Sequence, residues 1–217
     1  MRGLMRSLSQ SSRSAGVSGR RLADLLLFSV TSAELAILVR QMPTFGPIDW
    51  VYVSQHLLVL AIAFARHAPV ARDFSPGASA AVVVSYAYPY AQVLYLGRAA
   101  GQSAWPEGGF ALVTIAAGLS VVSLLTLGRS FGIRPALRRL VTSGPYGVVR
   151  HPMYLSYLVS DIGYNLQEWN VGSVLLVLAG WTALAYRIHA EERVLSYDAG
   201  WSAYAASVPY RLIPRVW

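Results

Sequence analysis

Cysteine and lysine are both absent from this chain of 217 residues. Without cysteine there is no disulfide, no thiolate metal site and no cysteine nucleophile. All 18 basic residues are arginine, a bias read as genome composition. Charge itself is scarce. Only 13% of residues are charged, 55% are hydrophobic, and the mean hydropathy is +0.45. That is the composition of a membrane protein rather than of a soluble domain. The formal net charge is +8. The arginines are scattered at the ends of apolar segments, so they point to anionic lipid headgroups and not to nucleic acid. The four histidines lack metal-ligand spacing, so no metal is expected. A glycine-rich loop of the P-loop or Rossmann kind is missing too.

What is present is a series of apolar segments. A helix needs about 20 apolar residues to cross the hydrocarbon core. Six candidates fall at 22–39, 50–65, 78–96, 110–127, 153–166 and 171–186. The last two are short and joined by Gln167-Glu168-Trp169-Asn170, which reads as a tight helical hairpin. Residues 1–21 are rich in Ser, Gly and Arg and read as a disordered basic tail. With the N-terminus inside, sixteen arginines lie inside and two outside. The positive-inside rule then favours six spans with both termini cytoplasmic. The expected fold class is an all-α integral membrane protein with a cytoplasmic or interfacial C-terminal helix. Compactness and Arg/Ala usage suggest a bacterial inner membrane. In the C-terminal segment Tyr197, Trp201, Tyr204 and Val208 share one helical face. That stripe suits either the membrane interface or packing against the bundle. Pro209 should end this helix, and Pro214 should keep the remainder extended.

One long polar break interrupts the apolar pattern, LGRSFGIRPALRRLVTSGPYGVVRHPMY, beginning at Leu127. It holds Arg129, Arg134, Arg138, Arg139 and Arg150, with turn signals at Ser143-Gly144-Pro145 and His151-Pro152. A proline after His151 pushes that residue out of the α region, and Pro152 suits the first position of a new helix. The free N–H groups of such a helix start suit an anion. Further on, Tyr154, Tyr157, Asp161 and Tyr164 form one polar stripe. An ionisable Asp161 inside a span faces a cavity or a partner. It is either hydrogen-bonded to Tyr or Asn165, or it meets the substrate. Adjacent Glu191 and Glu192 point about 100° apart on a helix, so one can face a site while the other faces water or an arginine.

GPYGVVRHPMYLSYL (144–158), HAEERVL (189–195) and VPYRLIP (208–214) together resemble the membrane-embedded methyltransferases of the isoprenylcysteine carboxyl methyltransferase and phospholipid N-methyltransferase superfamily. The resemblance covers the C-terminal part of the chain. It implies S-adenosylmethionine (SAM) as methyl donor, held by residues 128–217 at the cytoplasmic face. Tyr146, His151, Tyr154, Glu191 and Glu192 match the cofactor-binding positions, and 22–127 supply the other four spans. The acceptor would be a lipid or isoprenoid entering from the bilayer. A carboxylate acceptor would need a cation, for which Arg150 is the candidate. An amine acceptor would need a base, for which Asp161 is the candidate. Ser156 and Asp198 stand where the family often has glycine. The sterol and steroid reductases, which use NADPH, share a similar C-terminal scaffold. Met153 after His-Pro and Ser156 favour methyl transfer over that alternative, and the intact motif set argues against a non-catalytic scaffold.

Overall fold

The computed structural model describes residues 47–217, apart from 66, 74 and 97–103. The basic tail over 1–21 and the first expected span, 22–39, lie outside the described residues. Among the described residues there are six α-helices: α1 Pro47–Ala65, α2 Pro76–Leu96, α3 Pro106–Leu127, α4 Pro152–Gln167, α5 Val171–Leu195 and α6 Trp201–Ser207. Two residues on each side form the antiparallel pair β1 (Ala71–Arg72) and β2 (Ala136–Leu137).

Proline is the recurrent helix start, as expected for Pro152. Pro47, Pro76, Pro106 and Pro152 each open a helix, where the missing N–H and fixed φ cost nothing. Asn170 opens α5 differently. Its side chain accepts from Ser173 N (3.0 Å), and Ser173 Oγ accepts in return from Asn170 N (3.2 Å). This reciprocal cap satisfies two orphan donors.

α3 packs along α4, and α2 packs along α5, while the two legs of the α4–α5 hairpin touch each other far less. Glycines permit the closest approaches. A Cβ on Gly163 of α4 would lie 2.7 Å from the Gly109 carbonyl of α3, and one on Gly180 would strike the Tyr88 ring of α2. Gly109 is near the start of α3 and Gly163 near the end of α4, so that pair is antiparallel. Among the described residues two stretches, Pro106–Ser130 and Val171–Leu195, are long and apolar enough to cross a membrane. Both carry exposed apolar residues, among them Phe110, Ile115 and Leu125 on α3 and Val171, Leu175 and Leu178 on α5.

The loop after α3, the α1–α2 connection and the C-terminal segment gather at one end of the bundle. His67 N donates to Arg129 O (2.9 Å), Arg129 Nε to Ala65 O (2.6 Å) and Arg138 Nε to His67 O (3.0 Å). The β1–β2 pairing holds the same two segments together. Left-handed glycines bound the long loop, Gly128 at φ 48° and Gly144 at φ 57°. Few other residues take up this conformation without strain.

Three expectations about the C-terminal part need correction. The sixth apolar segment does not end at 186. α5 continues to Leu195 and carries the Glu pair on the same helix. Arg187 does not stop it because the guanidinium finds partners inside the protein. The aromatic stripe is not one helical face either: Tyr197 lies in the turn before α6, while Tyr204 and Val208 are buried against the bundle. The last residues are not extended. They turn back, and Trp217 O accepts from the N–H groups of Arg211 (2.9 Å), Leu212 (2.9 Å) and Ile213 (3.2 Å).

Candidate functional site

A pocket opens where the loop end of the bundle meets the helices. The space it encloses, with the open solvent at its mouth, is about 780 Å³. The loop contributes Phe131, Arg138, Arg139, Tyr146 and Arg150 to its walls. Helix α4 contributes Met153, Tyr154 and Tyr157, helix α5 contributes Arg187 and Glu191, and α2 contributes Tyr86.

The approach to α4 follows the expected turn chemistry. His151 sits at φ −129° and ψ 60°, outside the α region, and Pro152 begins the helix. Strand-like contacts hold this corner in place. Arg150 N donates to Tyr210 O and His151 N to Arg211 O, both at 2.9 Å. So VPYRLIP is the backbone partner of the Arg-His-Pro corner. Tyr204 locks it further, with its hydroxyl donating to Tyr146 O (2.8 Å). Burial pushes the Tyr204 hydroxyl up to about 12, although the Arg150 charge opposes the shift. Burial also pushes the Tyr146 hydroxyl well above its usual range, and the Glu191 charge adds to this. Both phenols therefore stay protonated as donors.

The two adjacent glutamates divide their tasks. Glu192 does not line the pocket. Its Oε1 accepts from Arg150 Nε (2.8 Å) and lies 3.3 Å from His151 Nε2, while its Oε2 accepts from Arg211 (2.9 Å). It ties loop, helix and C-terminal segment into one knot. Glu191 lines the pocket and is the more exposed of the two, 25% against 12% for the side chains. Its Oε2 accepts from the Tyr154 hydroxyl (2.8 Å).

Arg150 lines the pocket, but its guanidinium is already engaged. Besides Glu192 it donates to Ala205 O (3.3 Å) and Val208 O (3.1 Å). Tyr154 is likewise enclosed, with the His151 ring stacked on it at 5.6 Å and the Arg187 guanidinium 5.2 Å from its centroid. Asp161 stands apart from the pocket. It is 6% exposed, and its Oδ2 accepts from the Tyr88 hydroxyl and the Trp181 indole, both at 2.8 Å. Its backbone carbonyl accepts from Asn165 (2.9 Å). The hydrogen-bonded alternative for Asp161 is the one the geometry displays.

Arg187 is the residue that sequence reasoning passed over. It was counted only among charges flanking an apolar segment. It is 3% exposed and lies in the pocket wall. Nη1 donates to Ser85 Oγ (2.8 Å) and Nη2 to Ile133 O (2.7 Å), while Nε is buried without a partner. The guanidinium also lies 5.3 Å from the Tyr86 centroid. Its signal was the spacing to Glu191, four residues on, which places cation and anion on one helical face.

Residues 109–197 match the isoprenylcysteine carboxyl methyltransferase (ICMT) family. The chain is 32% identical over 115 residues to Protein-S-isoprenylcysteine O-methyltransferase B of Arabidopsis thaliana, covering 48% of this chain and 58% of that protein. The A form from the same plant is also 32% identical, over 114 residues, with the same coverage. A Delta(14)-sterol reductase of Mus musculus is 32% identical over 103 residues, 45% of this chain and 23% of that protein. The chain thus spans a little over half the length of the plant relatives. The ICMT-like resemblance read from the loop motif and the Glu pair is borne out over the region that carries both.

Proposed function

We propose that this chain is an integral membrane methyltransferase that transfers a methyl group from SAM to the carboxylate of a lipid or isoprenoid acceptor. The observation that carries this reading is the buried Arg187 beside Glu191 in one pocket wall. A guanidinium in a pocket wall suits an anion. A partly exposed carboxylate suits a cationic or hydroxyl-bearing ligand.

The donor set fits SAM. Glu191 would take its ammonium or ribose hydroxyls. Arg138, Arg139 and the start of α4 would face its carboxylate. Tyr157 would offer a ring to the sulfonium, since Tyr154 is already covered. When bound, SAM supplies an electrophilic methyl group. The chain's own part is to align the acceptor and keep the pocket dry. In this reading Arg187 takes the role first expected of Arg150, and Arg150 positions the loop. An acceptor carboxylate is anionic at neutral pH and needs no base. That accords with an Asp161 whose carboxylate is occupied by Tyr88 and Trp181. Six spans in a bacterial inner membrane, both termini cytoplasmic, with anionic headgroups around the loop arginines, complete the proposal.

The test is a titration of purified protein with SAM and with NADPH, followed by transfer of a labelled methyl group to prenylated carboxylates and to amine phospholipids. SAM binding with base-labile label on the carboxylates is the expected result. NADPH binding without SAM binding moves the chain to the reductase class.

A second measurement checks Asp161. Asp161→Asn keeps one acceptor oxygen and should cost stability by about 1–3 kcal/mol. SAM affinity should stay intact and turnover should change less than about tenfold. A fall of about 10²–10⁴-fold in turnover would instead mark Asp161 as the base for an amine acceptor.

A further inference from the structure

Glu192 touches the candidate site only through other residues, and one of them is a histidine. Both oxygens of its carboxylate are engaged, Oε1 by Arg150 and His151 and Oε2 by Arg211. Two arginine partners hold it ionised, and an ionised carboxylate can only accept. The histidine nitrogen that faces it must therefore donate. That nitrogen is Nε2, at 3.3 Å. The ring cannot turn away easily. It is buried, stacked within 9° of parallel on Tyr154, and its backbone N–H is bonded to Arg211 O.

We propose that Glu192 is a positioning residue that fixes the tautomer of His151, with the proton on Nε2 and the Nδ1 lone pair facing the pocket. The hydrogen bond made by one ring nitrogen sets the state of the other. Nδ1 lies 4.0 Å from Glu191 Oε2, beyond hydrogen-bond range. Two acceptors thus face each other across a gap on the pocket side. A donor with more than one N–H, carrying positive charge, satisfies both. The pair His151 Nδ1 and Glu191 is therefore a subsite for an ammonium group. Arg211 takes part at one remove. It holds Glu192 Oε2 and lies 5.5 Å from the Trp217 ring, so the turned-back C-terminal segment supports the tautomer. The ammonium subsite rests on the methyltransferase reading, whereas the tautomer does not.

The test uses the full-length chain in lipid nanodiscs with ¹⁵N-labelled histidine, at mildly alkaline pH. His151 is assigned by its loss in His151→Gln. A protonated Nε2 with a bare Nδ1 is expected. A protonated Nδ1, alone or together with Nε2, overturns the proposal. Glu192→Leu should release the single tautomer into a mixture, and an unchanged spectrum there also overturns it. Should Glu192→Leu fail to fold, Arg211→Gln provides the same comparison, with Arg211→Lys expected to restore the wild-type spectrum. The subsite is read with SAM against its analogue lacking the amino group. Wild type should prefer SAM by about 10–100-fold. His151→Gln keeps a donor near the Nε2 position but offers no Nδ1 acceptor. It should retain thermal stability and lose most of that preference. Equal preference in His151→Gln and wild type overturns the subsite. A wild-type protein that binds no SAM overturns the methyltransferase reading instead, and the NMR result then decides the tautomer alone.

Discussion

Arg187→Met should lower methyl transfer by about 10²–10³-fold, the loss typical of removing a preorganised charge from a transition-state site. Methionine fills much of the same volume, so packing survives while the cation does not. Some stability should be lost as well, about 1–3 kcal/mol for each buried acceptor left without its donor, here Ile133 O and Ser85 Oγ. Arg187→Lys keeps the charge but lacks the planar fork that spans Ser85 and Ile133. It should recover only part of the activity. Thermal unfolding alongside a methyl-transfer assay separates the two effects. Normal turnover in Arg187→Met would return the anion-binding role to another residue, and with it the central observation behind the proposed function.

Substituting the two adjacent glutamates should yield different defects. Glu191→Ala removes a pocket-lining carboxylate and frees the Tyr154 hydroxyl. A charge-assisted hydrogen bond is worth about 1.5–3 kcal/mol, so SAM affinity should fall about 10–100-fold with the fold intact. Glu192→Ala leaves Arg150 buried without its ionic partner. Breaking a buried pair from one side costs about 3–5 kcal/mol. Its main effect should be a lower unfolding temperature and a loosened loop, with SAM affinity lost as a consequence. Calorimetry of SAM binding and thermal unfolding on both variants decide the matter. Were Glu192→Ala to unfold like wild type while losing SAM, the assignment of Glu192 to structure would be wrong.

Local chemistry accounts for what was legible in the residues alone. Apolar runs separated by Pro and Gly located five of the observed helices, because hydropathy and turn preference act within a few residues. The His151-Pro152 corner was readable for the same reason: a proline restricts the residue before it. The pattern around Arg150, Tyr154 and the Glu pair also identified the ICMT-like region before any fold was known. Even so, the starts of α1, α2 and α3 were placed a few residues late. Prolines that open a helix and prolines that break one look alike in one dimension.

Only the tertiary structure decided which charge faces which cavity. Glu191 and Glu192 are neighbours, and their roles follow from the rotation of α5, which is set by packing against α2. The loop motif pointed to Arg150 as the cation, and no motif singled out Arg187. Residues 205, 208 and 192 engage the first, while Ser85 and Ile133 hold the second inside the pocket wall. Asp161 was left between two readings because its partners, Tyr88 and Trp181, sit on other helices. The end of α5 was misplaced because a charge normally marks the end of an apolar span. Arg187 instead continues the helix by finding its partners far away in sequence, at separations of 102 and 54 residues. Hydropathy along the chain carries no record of such pairings, and they exist only once the helices are packed.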